Sequence, residues 1–344
     1  MMAAILMCER CQLTTEDGIQ IASNGMCDLC NDFEQKKQEG YVFKDYKGNE
    51  SESRKSLLTR IQDIKNRENQ GKYDCLLHLS GGKDSVMALY ELKNIYDMRI
   101  LAYMHDNGFE SEEAKNNVKN ATDILSVDLI YLKQEVAYKP FYHFFRSGLY
   151  KKVDVCAFCE FFQEPFHSFA HQLMDIFGIP VEITGSAANA DIQQPLLNNN
   201  YELVQDFLNK NNEVLELKNN ELLCQRVDMT IKRYKINYWA EVPQDMALTI
   251  KTVTELLNWK PKHSDSSDTG CNLCYIQMLL DNKYSSASKR TAYKYIKAHD
   301  IRMGHATPEF YVKNSSKLTE QEQEDIIRKT NKVLELFDLN ADDL

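Results

Sequence analysis

Tyr73-Asp74-Cys75-Leu76-Leu77-His78-Leu79-Ser80-Gly81-Gly82-Lys83-Asp84-Ser85 carries an apolar run of strand character into two glycines, a lysine, an aspartate and two serines. Val86, Met87, Leu89, Tyr90 and Leu92 then take up helical spacing. Strand, glycine loop and helix together make an anion site. Glycines let the backbone approach closely, the N–H groups of the first helical turn point outward, and the helix dipole favours negative charge. Lys83 adds a full cation, and Ser80 and Ser85 add hydroxyl donors. The spacing differs from the common GxxxxGK(S/T) phosphate loop, because Lys83 follows directly on a glycine pair.

Outward from this loop the pattern alternates. A strand over 73–79 precedes a helix over 84–96, and a strand over 99–105 precedes a helix over 110–125. A strand over 128–133, helical material through 140–177 and a strand over 181–184 follow. Such alternation predicts an α/β fold, a parallel twisted sheet with helices on both faces. Ligands of such sheets sit beyond the carboxyl ends of the strands. There the chain places Ser80–Ser85, Asp106-Asn107-Gly108 and Gly185-Ser186. A helix built on Leu57, Leu58, Ile61 and Ile64 leads into the first strand, after a polar stretch Lys44–Arg54 that reads as a linker. Residues 198–222, rich in Asn, Lys and Glu, read as an insertion over the site. Helices around Val242–Trp259 and Thr291–His299 come next, and Thr319-Glu-Gln-Glu322 is a capping box that opens a last one. The expected division is 1–43, a cysteine module, then 55–260, the α/β domain, then 261–344, a helical C-terminal region with its own CxxC.

The 344 residues suffice for a full core, and the net charge of −10 argues against gripping nucleic acid by general basicity. No run approaches the roughly 18 apolar residues of a membrane span, and Met1–Met7 is too short for a signal peptide. A cytosolic protein is expected, with its cysteines reduced or metal-bound.

Eight of the ten cysteines form four CxxC pairs. Cys8/Cys11 and Cys27/Cys30, with turn signals Asp17-Gly18 and Asn24-Gly25 and short strands such as Ile19–Ala22 between them, predict one closed, structural Zn²⁺ site. A module of about 35 residues would lack a core without it. Cys156/Cys159 and Cys271/Cys274 fit either a second Zn²⁺ or, with Cys224, a 4Fe–4S cluster, and spacing does not choose between them. His78 reads as a core residue of the first strand, while His105 precedes Asp106 at a strand end within reach of a ligand. His263 and His305 are further candidates for acid–base or ligand roles.

Ser80-Gly-Gly-Lys-Asp-Ser85 at a strand–helix junction resembles the PP-loop of the ATP pyrophosphatase (adenine nucleotide alpha hydrolase-like) superfamily, whose members cleave ATP between the α- and β-phosphates and adenylate a substrate. With the N-terminal module added, the chain resembles N-acetyl sugar amidotransferases of surface-polysaccharide biosynthesis. The shared features are Cys8-Glu-Arg10-Cys11, Gly18-Ile19, Gly25, Cys27, Cys30 and Asn31-Asp-Phe33, then the loop, then Cys156/Cys159 and Gly304-His-Ala306-Thr307-Pro-Glu309. The chain departs from that family in Val312–Glu320, which lacks the family's arginines, and in the Cys271/Cys274 pair. A sulfur-transferring PP-loop enzyme, thiolating tRNA or a small molecule, is therefore the alternative.

The resemblance implies a HUP/PP-loop fold with a zinc-ribbon-like N-terminal module, and it implies roles for the loop. Ser80, Gly81, Gly82, Lys83 and Ser85 would hold the β,γ-phosphates, and Asp84 would ligate Mg²⁺. Ser80, Lys83 and Asp84 would take part in catalysis, and Asp106 and Gly185 would contact adenosine. A sugar or nucleotide-sugar acceptor would receive AMP, then ammonia. The chain has no glutaminase sequence of its own, so a partner subunit would supply the ammonia.

Overall fold

The computed structural model describes residues 4–39, 52–66, 71–106, 108–133, 139–149, 164–185, 234–242, 244–261, 274–275, 291–314, 319–335 and 338–343. Cys156, Cys159, Cys224, Cys271, His263 and Ser186, and the insertion 198–222, lie outside these residues.

Five short strands make one parallel sheet: β1 (Cys75–His78), β2 (Ile100–Asp106), β3 (Asp128–Lys133), β4 (Val181–Thr184) and β5 (Tyr234–Asn237). The order is β3-β2-β1-β4-β5, with every neighbouring pair parallel. The chain moves outward from β1 on one side through β2 and β3, then returns to the other side of β1 with β4 and β5. The crevice at the carboxyl ends of β1 and β4 is therefore the switch point of the sheet. β5 lies in a stretch that the sequence pattern left without a strand.

Alternate side chains send each face of the sheet to its own core. Cys75, Leu77, Ile100, Ala102, Met104, Val181 and Ile183 pack with α2 (Glu52–Lys65) and α3 (Lys83–Asn94). The side chains of α3 that enter this core are Val86, Met87, Leu89 and Leu92, each worth roughly 1.5–3 kcal/mol when fully buried. α4 (Glu112–Leu125) packs against α3 and contributes Ala114, Val118 and Ala121. α5 (Lys139–Arg146) and α6 (Glu164–Phe177) come next along the chain. On the opposite face Leu76, Leu101 and Tyr103 meet Phe169, Ala170, Leu173 and Met174 of α6. Tyr103 also donates its hydroxyl across β1 to buried Glu182 at 2.7 Å, and the His78 ring lies 5.0 Å from its own. Helices thus cover both faces, as the alternation predicts.

Helix ends follow their caps. Ser111 accepts the Ala114 N–H at 3.0 Å to open α4, and Asp245 accepts the Leu248 N–H at 2.9 Å to open α7 (Met246–Leu257). α8 (Thr291–Met303) and α9 (Pro308–Asn314) flank the turn at Gly304. The Thr319 box forms as expected: Glu322 accepts the Thr319 N–H at 2.7 Å and its own N–H reaches Thr319 Oγ1 at 3.2 Å, opening α10 (Glu320–Leu334).

Two local expectations are corrected. Residues 52–54 of the supposed linker are the first turn of α2, because Leu57 and Ile61 bury one face of that helix in the core. The short strands of the N-terminal module reduce to isolated bridges, Met7 with Thr14 and Ile21 with Cys27, and Cys27 caps α1 (Asp28–Gln38). Convergence of four cysteines, rather than a strand ladder, organises this module. Gly18 and Gly25 do make turns, at φ 83° and 77°. Among the described residues no helix is long and apolar enough to cross a membrane.

Candidate functional site

The loop after β1 is shaped from within and clamped from outside. Gly81 has φ +80°, and a Cβ there would lie 2.3 Å from the Ala114 carbonyl oxygen, so no other residue fits without moving α4. Gly82 caps α3 and its carbonyl accepts both the Val86 N–H and the Ser85 hydroxyl at 3.1 Å. Ser85 Oγ in turn accepts the Ser80 N–H at 3.3 Å, and Ser80 Oγ accepts the Gly82 N–H at 3.4 Å. At the end of β4, a Cβ on Gly185 would lie 2.5 Å from the Ser85 Cα. The strand end is thus pressed against the first turn of α3.

Four side chains from far along the chain complete the clamp. Trp259 donates its indole N–H to the Gly81 carbonyl at 3.0 Å, and Trp239 donates to the Asp84 carbonyl at 2.9 Å. Buried Asn117 donates to the Gly81 carbonyl at 3.1 Å and pairs both ways with the Lys260 backbone. Gln244, also buried, donates to Asp84 Oδ1. Sequence reasoning passed over all four. One signal pointed to two of them: these are the only tryptophans in the chain, and a buried indole N–H needs an acceptor.

Lys83 is 1% exposed and sets Nζ 2.9 Å from Asp84 Oδ2, whose side chain stays 35% exposed at the crevice. A cation, a carboxylate, two hydroxyls and the amino end of a twelve-residue helix therefore share one small surface. Such a surface can hold the oxygens of a polyphosphate and, through Asp84, a hard divalent cation.

The other predicted residues are placed as follows. Asp106, at the end of β2, is fully buried. Its Oδ1 accepts the Gly108 N–H at 2.7 Å, and its Oδ2 takes the Tyr131 hydroxyl and lies 3.2 Å from Lys115 Nζ, so its partners here are protein groups that fix the turn into α4. Burial pushes the neighbouring His105 imidazole down to about 4, so it is neutral near pH 7. Cys274 is buried at the same edge: it bridges to Glu110, and the next residue donates its N–H to the Phe109 carbonyl at 2.8 Å.

In the N-terminal module Cys8, Cys11, Cys27 and Cys30 are buried, and their sulfurs all lie within 4.8 Å of one another. Cys8 and Cys30 are 3.8 Å apart, and Cys11 and Cys27 are 3.6 Å apart. Hydrogen bonding from the neighbouring thiols, Cys11 first, lowers Cys27 to about 2, while Cys11 is pushed up by the same contact. Four buried thiols this close together are a set that can hold a metal ion.

No family model matches the sequence. A stretch of 65 residues is 45% identical to an uncharacterized protein of Methanocaldococcus jannaschii, covering 19% of this chain and 24% of that protein. The chain thus spans about a quarter of the length of that relative. Among solved structures, the chain is similar to the U34-tRNA thiolase NcsA of Methanococcus maripaludis with its 4Fe–4S cluster, at 15% identity and TM-score 0.36, covering 77% of this chain and 86% of that one. It is also similar to the NMN synthetase of Francisella tularensis, at 10% identity and TM-score 0.36, with 79% and 98% covered. The NH3-dependent NAD synthetase of Campylobacter jejuni follows at 13% identity and TM-score 0.35, with 79% and 100% covered. Likenesses of this size identify neither a family nor an activity. The site's own geometry carries the functional reading.

Proposed function

We propose that the chain is an ATP-dependent, AMP- and pyrophosphate-forming amidotransferase of the PP-loop superfamily, acting on an N-acetylated sugar acceptor. One observation carries the reading: Lys83, Asp84 and the amino end of α3 meet at the switch point of a parallel sheet, in a loop that Gly81 and Gly185 hold against α4 and β4. Ser80, Gly81, Gly82, Lys83 and Ser85 bind the β,γ-phosphates, which depart as pyrophosphate. Lys83 leaves its contact with Asp84 to meet that charge. Asp84, steadied by Gln244, is the residue that would hold Mg²⁺, which offsets phosphate charge when bound. Asp106 and Gly185 shape the adenosine end.

In the first step a carboxylate or carbonyl oxygen of the acceptor attacks the α-phosphorus, the bond to the β-phosphate oxygen breaks, and the acceptor gains AMP. In the second step ammonia attacks the activated carbon, AMP leaves with the electron pair, and nitrogen loses a proton. The loop contributes position and charge, which are the main levers in transfers to phosphorus. A glutaminase partner supplies the ammonia, and the reaction belongs to the cytosol. Residues 55–260 form the ATP-handling domain, 1–43 the metal module and 261–344 the helical C-terminal region with its own CxxC. The four N-terminal cysteines would hold Zn²⁺ as a closed structural site, and sulfur separations of 3.8 and 3.6 Å suit four thiolates sharing one ion.

A second reading, thiolation, is favoured by Cys274 alone. That thiol is pinned beside Phe109 and Glu110 at the carboxyl edge of the sheet, where it could carry persulfide sulfur to the activated acceptor or be one ligand of a 4Fe–4S cluster. Pyrophosphate release decides between them. Release that requires an N-acetylated uronic-acid sugar, and that continues past a single turnover only with ammonium, is the expected result. Release that instead requires tRNA and a sulfide donor would overturn amidation in favour of thiolation.

A further inference from the structure

The four-cysteine module is bonded to α8. Tyr295 donates its hydroxyl to the Asp17 carbonyl at 2.7 Å. Arg10 divides its guanidinium between Glu34 and the Arg302 carbonyl, the latter at 3.2 Å. Arg302 is itself buried, with Nη1 4.0 Å from Cys30 Sγ. A buried guanidinium needs an anion, and four thiolates on a divalent ion carry a net charge of about −2. Arg302 therefore ties the metal site's charge to the helix.

The same segment reaches the amino end of α7. The Asp300 carbonyl accepts the His305 N–H at 2.9 Å and the Ala306 N–H at 3.4 Å, and the Asp300 carboxylate accepts the Tyr311 hydroxyl at 2.7 Å. These bonds fix the turn, and the His305 carbonyl accepts the Met246 N–H at 3.2 Å. Met246 opens α7 two residues after Gln244, whose amide holds the Asp84 carboxylate.

We propose that Arg302, Asp300 and the His305 carbonyl are positioning residues that form a strut from the four-cysteine site to Asp84, so that metal in the first sets the grip of the loop on nucleotide phosphates. The proposal rests on the reading of the loop as an ATP site. It gives the N-terminal module a role in the reaction although none of its residues is placed in contact with substrate.

Both tryptophans of the chain donate to the loop, so intrinsic fluorescence reports on it directly. The test titrates the zinc-loaded full chain with Mg²⁺ and α,β-methylene ATP, then repeats the titration after chelation. Coupled sites of this kind shift affinity by about tenfold, and the wild type should lose that much on metal removal. Met246→Pro removes the N–H that meets His305 at the first helical position, where proline is tolerated, and the extended Asp245 before it suits a proline. This variant should keep its metal, bind the analogue about tenfold more weakly, and no longer respond to chelation. Met246→Ala, which keeps the N–H, should respond like the wild type, and Arg302→Lys should retain more coupling than Arg302→Gln. Analogue affinity independent of metal in a wild type whose sheet stays folded would overturn the strut alone, as would full coupling in Met246→Pro. No analogue binding by the zinc-loaded wild type would overturn the ATP site and the strut together.

Discussion

The chain contains two tight, glycine-assisted sites, and they are held together in different ways. The loop after β1 is fixed by protein alone: two indoles, an asparagine and paired serines fasten its backbone, and helix α4 leaves no room at Gly81. The four-cysteine site brings four sulfurs together in a module whose described residues pair in strand fashion only through isolated bridges. One site is held by protein groups throughout, whereas the other is expected to depend on a metal for its shape. A catalytic loop gains from the first arrangement, because the cost of ordering it is met on folding. A small module whose core is little more than its cysteines, Leu13 and Ile19 against Tyr295 and Ala298 of α8 gains from the second.

The largest expected effect breaks this comparison at the metal. Chelation, or Cys27→Ser, should unfold residues 4–39, since structural zinc supplies about 10 kcal/mol to such modules. Hydrogen exchange should show protection lost there and kept in β1, β2 and β4. Protection kept in the module without metal would mean that its packing suffices.

A pair of glycines sharpens the same contrast. Gly81 and Gly18 have nearly the same φ, +80° and +83°, but a Cβ would strike the Ala114 backbone at the first and meet nothing within 4 Å at the second. Gly81→Ala should cost about 3 kcal/mol, combining left-handed strain with overpacking. Gly18→Ala should cost only about 1 kcal/mol. Urea unfolding of the two variants measures the gap, and equal costs would show that α4 does not enforce the loop.

Trp259→Phe keeps most of the ring's bulk and leaves the Gly81 carbonyl with one buried donor, Asn117, instead of two. The expected loss is about 1–2 kcal/mol, with weaker binding of the ATP analogue. Unchanged affinity would remove the indole from the clamp.

The smallest effect is a pH dependence. Burial lowers His105 from 6.5 to about 4, so the folded chain resists a proton that the unfolded chain accepts. Stability contributed by the neutral ring is complete above 6.5 and is lost as pH falls toward about 4. Near pH 5.5 the loss should be about 1 kcal/mol. The melting-temperature gap between the wild type and His105→Gln should therefore narrow from neutral pH downward, and a gap that widened would contradict the burial of this ring.

Four of the parallel strands and the loop were legible because their signals are local. Apolar runs of strand length, a glycine pair and a helical repeat all lie within a short window around Ser80. Tyr234–Asn237 escaped notice because four residues of mixed polarity become a strand only by pairing with β4. The clamp was hidden for a different reason. Trp239 and Trp259 meet the loop across 155 and 178 residues, a distance at which no periodicity operates. The carboxylate of Asp106 is likewise taken up by Lys115 and Tyr131, partners that only the folded arrangement of α4 and β3 supplies. The opposite error occurred at Ile19–Ala22, where turn signals suggested a strand ladder although the cysteines dictate the path.

A loop that adenylates the acceptor should cleave ATP between its α- and β-phosphates. Phosphorus NMR of ATP incubated with Mg²⁺, acceptor sugar, ammonium and the full chain reads the products directly. AMP and pyrophosphate in equal amounts from the wild type, and neither from Lys83→Ala, is the result the account predicts. ADP and inorganic phosphate from the wild type, or AMP formation undiminished in Lys83→Ala, would contradict it.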